Sequence, residues 1–122
     1  MAAYESYQAG SSGEAREKFE SFIKDYPENE YTDNSRFWIA ESYFRDKSFE
    51  DAILAYEDLF RKNPDSDKIP GAMLKQGMAF FALKDKDTGR LILEKLLEKY
   101  PDSEQAAEAK KKLEEANPEE KE

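Results

Sequence analysis

Apolar positions along this chain fall at helical spacing in short runs, and the runs recur. Between Phe49 and Lys62 the apolar residues Ala52, Ile53, Tyr56, Leu59 and Phe60 keep the i, i+3/i+4, i+7 spacing of one buried helix face. The same logic predicts a partner helix from about Thr32 to Arg45, with Asp46-Lys47-Ser48 as the turn between the two. A second pair follows, from about Ile69 to Leu83 and from about Asp87 to Tyr100, joined by Lys84-Asp85-Lys86. Asn63-Pro64 closes the first pair, because the residue before a proline is pushed out of the α region.

These helix pairs are copies of one unit. Pro27, Pro64 and Pro101 are 37 residues apart. Ala15, Ala52 and Gly89 align at that period, as do Phe19, Tyr56 and Leu93, then Phe22, Leu59 and Leu96. Upstream, Ala3, Ala40 and Gly77 correspond, and so do Tyr7, Phe44 and Phe81. A period of this length filled with helix formers predicts an all-α helical solenoid. The small residues Ala15, Ala52 and Gly89 sit near the start of each second helix, where they let paired helices approach closely.

The expected organisation is one repeat domain over 1–116, with units at about 1–27, 28–64 and 65–101. A charged capping helix from Glu104 to Ala116 follows, its buried side carried by Ala106, Ala107, Ala109, Leu113 and Ala116. Asn29, Ser66 and Ser103 each stand two residues after a proline and are candidate helix caps. Residues 117–122 contain no apolar side chain except Pro118 and read as a disordered tail. The first unit looks truncated: only Ala2 to Ala9 stands for its first helix, followed by Gly10-Ser11-Ser12-Gly13 as a loop. The chain therefore reads as a fragment of a longer protein.

Composition narrows the function. The formal net charge is −9, which disfavours nucleic acid and anionic lipid as partners. Neither cysteine nor histidine is present, so disulfides, thiolate or imidazole zinc sites and histidine-based triads are excluded. Asp65-Ser66-Asp67 and Glu28-Asn29-Glu30 lack the longer ligand series and central glycine of a calcium loop. Lys110-Lys111-Lys112, flanked by Glu108, Glu114 and Glu115, reads as a solvated helix face. No glycine-rich phosphate loop occurs, and no stretch approaches the ~20 apolar residues of a membrane span. The expectation is a binding protein without enzyme activity, cofactor or metal.

The recurring positions resemble those of the tetratricopeptide repeat: small residues at Ala40 and Gly77, aromatics at Tyr43 and Phe80, Ala52, Tyr56 and Pro64. That resemblance implies a right-handed superhelix of helical hairpins, with three repeats, the first truncated, and the capping helix. Within the superfamily, Phe37-Trp38-Ile39-Ala40-Glu41-Ser42-Tyr43-Phe44 followed by Phe49-Glu50-Asp51-Ala52 is similar to the signature of the periplasmic Tol–Pal accessory family. The stretches from Asn63 to Ala72 and from Leu93 to Ser103 are similar to it as well. Gln76, Asn63 and Gly89 depart from its leucine, tyrosine and alanine.

What the family implies is a periplasmic scaffold that coordinates outer-membrane constriction with peptidoglycan synthesis in cell division. Its partners would be a Tol–Pal inner-membrane component or a peptidoglycan synthase, and an N-terminal coiled coil would make it a trimer. Two alternatives stand beside it. The phrase from Phe19 to Pro27 also resembles the lipoprotein component of the outer-membrane barrel-assembly machinery; a generic cytosolic adaptor is the other.

If the first helix of each pair lines a groove, one stripe should face a bound partner. Phe37, Glu41, Phe44 and Arg45 form it in the second unit, Leu74, Met78 and Phe81 in the third, and Tyr4 and Tyr7 in the first. The same residues would be ordinary core if they pointed between helices. The single tryptophan, Trp38, is expected to wedge between adjacent repeats.

Overall fold

The computed structural model describes residues 12–116. Every regular element among them is an α-helix: α1 (Ser12–Asp25), α2 (Thr32–Arg45), α3 (Phe49–Lys62), α4 (Ile69–Ala82), α5 (Lys86–Lys99) and α6 (Glu104–Ala116). The all-α fold expected from the repeat pattern is the fold observed. The chain divides into two compact units that differ from the three sequence repeats, a first unit ending at Lys68 and a second unit beginning at Ile69. Tyr4, Tyr7 and the 117–122 tail lie outside the described residues.

In the first unit α2 packs between α1 and α3. Ala15 and Phe19 of α1 are buried against Trp38 and Ile39 of α2, so the tryptophan fills the seam between consecutive repeats. α3 packs on α2 with a face of Ala52, Tyr56 and Leu59, all fully buried, as is Ala40 of α2. Arg16 ties α1 to the end of α2. Its Nη1 donates to Ser42 Oγ at 3.1 Å and to Asp46 Oδ2 at 3.3 Å, and its guanidinium lies 4.1 Å from the Tyr43 ring centre.

In the second unit α4 packs on α5, and α6 packs on both. Gly77 and Gly89 occupy the places held by Ala40 and Ala52 in the first unit. A Cβ on Gly89 would stand 2.9 Å from the Gly77 carbonyl oxygen, and one on Gly77 would stand 2.7 Å from Leu93 Cδ2. The small residues expected to admit close helix approach do so here. Leu93, Leu96, Ala106 and Ala109 complete the buried face.

The hairpin turns repeat as faithfully as the helices. Lys47 and Lys84 both adopt the left-handed conformation, with φ of 63° and 67°. Ser48 N–H then reaches back to the Tyr43 carbonyl at 2.9 Å and Lys47 N–H to Phe44 at 3.0 Å. Asp85 to Phe80 and Lys84 to Phe81 repeat those bonds at 2.9 Å each. This is the Schellman arrangement, which satisfies carbonyls orphaned at the helix end.

Local expectations are corrected at three places. Ser12 and Gly13 belong to α1, not to the preceding loop, and Lys86 belongs to α5, not to the turn before it. Of the three candidate caps only Ser103 caps a helix, its Oγ accepting from Ala106 N–H at 3.1 Å. Asn29 and Ser66 instead accept from Tyr31 and Lys68 two residues on, which shapes the turn. The reason is spacing. Helices α2 and α4 begin five residues after their prolines, whereas α6 begins three after Pro101, so only Ser103 abuts its helix.

Candidate functional site

The stripe assigned to the first helix of each pair (helix A, which is α2 in one unit and α4 in the other) is only partly open. In the first unit Phe37 is half-buried, its ring 6.4 Å from that of Tyr56 and 5.6 Å from Lys68 Nζ. Phe44 is half-buried and meets Phe49 edge to face at 5.4 Å. Arg45 is exposed at the end of α2. Glu41 is packed away instead, 8% exposed, and its carboxylate accepts a hydrogen bond from the buried Tyr56 hydroxyl. A carboxylate so buried is retained by that bond. It therefore belongs to the packing between α2 and α3, and the expected role of orienting a bound segment is corrected.

In the second unit Leu74 is likewise buried, 4% exposed, which removes it from an open stripe. Met78 and Phe81 are half-buried. Phe81 stacks over the glycine crossing and lines a cavity of about 360 Å³ with Lys86, Lys112, Glu115 and Ala116. Of the assigned stripe, Phe37, Phe44 and Arg45 remain accessible in one unit, and Met78 and Phe81 in the other.

A second polar feature escaped the sequence reading. Arg36 of α2 is 8% exposed, and its Nη1 donates to Asn63 Oδ1 at 2.6 Å. Its Nε, also buried, has no hydrogen-bond partner; the Asp58 carboxylate is 4.0 Å away. The available signal was a break in the repeat. One period on, Arg36 corresponds to Met73 and Asn63 to Tyr100, so the two departures are coupled.

No group of three or more acidic side chains is gathered at metal-binding spacing among the described residues. No helix among them is long and apolar enough to cross a membrane.

Helical hairpins with small-residue crossings, Schellman turns and proline-terminated second helices define a helical-repeat protein of the tetratricopeptide type. The model of the family described as outer membrane lipoprotein (YfiO) matches residues 1–119. The chain belongs to that family. No curated protein matches the sequence.

Proposed function

We propose that this chain is a protein-binding module of an outer membrane lipoprotein, working in the periplasm as a scaffold without catalysis. The observation that carries the reading is the lipoprotein family match over nearly the whole chain. The half-buried aromatics on helix A, Phe37 and Phe44 in the first unit and Phe81 in the second, fit it, since partly accessible aromatic side chains serve as interface anchors. Phe37, Phe44, Arg45, Met78 and Phe81 are the residues assigned to partner contact, with Tyr4 and Tyr7 extending the stripe in sequence.

Between the envelope systems considered, the lipoprotein description favours the barrel-assembly machinery over the Tol–Pal system. The division-linked reading keeps the support of the phrase from Phe37 to Ala52. Tagged protein recovered from envelope membranes should carry barrel-assembly components. Recovery of Tol–Pal components in their place would reverse the preference. The Phe44→Ala/Phe81→Ala double variant should lose roughly tenfold or more in partner affinity, the scale of one or two interface anchors, while retaining its helical circular dichroism. A double variant that unfolds makes both rings core, and the helix-A assignment fails.

A further inference from the structure

The exposed face of α3 carries a leucine between ends of opposite charge. Leu54 is 68% exposed, more than any other large apolar side chain among the described residues. A single exposed leucine is ordinary on a protein surface; what surrounds this one is not. Glu50 and Asp51 occupy the first turn of α3 and Arg61 and Lys62 the last, and all four are exposed. Such sorting suits the helix dipole, yet α5 lacks it, opening with Lys86-Asp87 and closing with Glu98-Lys99. Leu91, at the aligned place on α5, is exposed as well, but between ends of mixed charge.

Turned end for end about a two-fold axis, α3 sets its acidic end against the basic end of a second copy, and does so twice. With the axis at the level of Tyr56, Asp51 faces Arg61 of the second copy, and Leu54 faces the position of Asp58. An isologous contact requires a patch complementary to itself, and facing opposite charges favours that register over others.

A place for the incoming leucine lies beside that position. A cavity of about 260 Å³ opens between α1, α2 and α3, with Ile23, Ile39 and Ala55 as its apolar lining. Its charges cancel, Arg36 and Lys62 against Glu20 and Asp58, so an uncharged side chain suits it. The volume is below the ~300–1,000 Å³ of small-molecule sites. Ala55 and Asp58 line it from α3, the helix that carries Leu54, so knob and hole belong to one surface. Arg61 and Lys62 already approach Asp58 of their own chain, at 3.0 and 3.4 Å. Pairs at the surface contribute little, so they do not hold the two cations back.

We propose that two copies of this chain pair antiparallel through α3, each Leu54 entering the cavity of the other. Glu50 and Asp51 of each copy then meet Arg61 and Lys62 of the other. One helix from each copy covers less than the ~1,200–2,000 Å² of stable complexes, and a net charge of −9 on each copy opposes approach. The dimer is therefore weak and reversible. The helix-A stripe lies on α2 and α4, so a pair carries two copies of it, and a partner with repeated sites gains avidity. The pairing does not depend on which envelope partner the stripe binds.

Sedimentation equilibrium of the 122-residue chain, from ~10 µM to ~1 mM, spans the affinities of weak complexes. The average mass should rise reversibly from monomer toward dimer. Leu54→Gln should weaken the association at least tenfold, and Leu91→Gln should leave it unchanged. Asp51→Arg and Arg61→Glu should each weaken it several-fold, because each sets like charges together at both contacts. Mixed in equal amounts, these two variants regain opposite charges at both contacts and should associate as tightly as the parent. A merely structural role for Asp51 or Arg61 gives no such rescue. All three positions are exposed, so circular dichroism should stay that of the parent. Should Leu54→Gln unfold, the mixed charge variants decide.

A chain that stays monomeric up to ~1 mM overturns the proposal. So does an association that survives Leu54→Gln, or a mixture of the two charge variants that stays monomeric while the parent pairs. Association lost with Leu91→Gln and kept with Leu54→Gln moves the contact to α5 and overturns the pairing through α3.

Discussion

Gly89→Ala sets two familiar effects against each other at one atom. In an exposed helix interior, alanine for glycine stabilises by about 1 kcal/mol, through backbone entropy. Here the new methyl would lie 2.9 Å from the Gly77 carbonyl oxygen and 3.2 Å from both Cδ1 and Cε1 of Phe81. The ring can turn aside; the carbonyl belongs to the α4 backbone and moves only if the helix moves. Overpacking costs about 1–3 kcal/mol, and contact with backbone places this case in the upper part of that range, at about 2–3 kcal/mol, so the net effect after the gain of about 1 kcal/mol should be a loss of about 1–2 kcal/mol. For a chain of this length that lowers Tm by roughly 3–10 °C. Urea titration followed by circular dichroism, together with scanning calorimetry, measures both quantities. The first unit supplies the contrast, because Ala40 and Ala52 stand one 37-residue period before Gly77 and Gly89 and both are fully buried. If Gly89→Ala proves as stable as the parent or more so, α4 and α5 can separate to the spacing that tolerates alanine. The claim that glycine is required by close approach would then be wrong.

The turns and the buried polar pair offer sharper, smaller tests. Lys47 and Lys84 hold positive φ at Schellman positions, where a Cβ is penalised by roughly 1–2 kcal/mol. Lys47→Gly or Lys84→Gly should therefore raise the urea midpoint by about 0.5–1 kcal/mol worth of stability, after the entropy of glycine in the unfolded chain is deducted. A lowered midpoint would mean that the lysine side chains contribute more than their backbone strain removes. Tyr56→Phe deletes the hydroxyl that donates to the buried Glu41 carboxylate. It should cost roughly 1.5–3 kcal/mol, the range for hydrogen bonds to charged groups. An unchanged unfolding curve would return Glu41 to the list of candidate partner contacts.

Helix existence and order were legible in the chain because the repeat supplies several readings of each position. The bounds of α2, α3 and α6 follow directly from apolar spacing and from the prolines. Boundaries went astray where a proline no longer disciplines them, as at Ser12 and Lys86. The helix-A stripe was legible only as a face. Periodicity placed Phe37, Glu41, Phe44 and Arg45 together, but whether a face is wet depends on what the neighbouring helix brings to it. Tyr56 brings a hydroxyl to Glu41, and that contact joins residues fifteen apart in sequence.

The 37-residue repetition, the small residues at the crossings and the proline stops determined the all-α hairpin architecture by themselves. They are local or periodic facts, and helix formation answers to them directly. Tertiary structure decided which polar residues are buried. Arg36 and Asn63 are ordinary surface types in isolation, and only the packing of α3 against α2 makes them a 2.6 Å pair with an unpartnered Nε behind it. Burial is a property of the assembled neighbours rather than of the residue. The chain therefore announces its fold through repetition, while its most specific chemistry lies where the repetition fails.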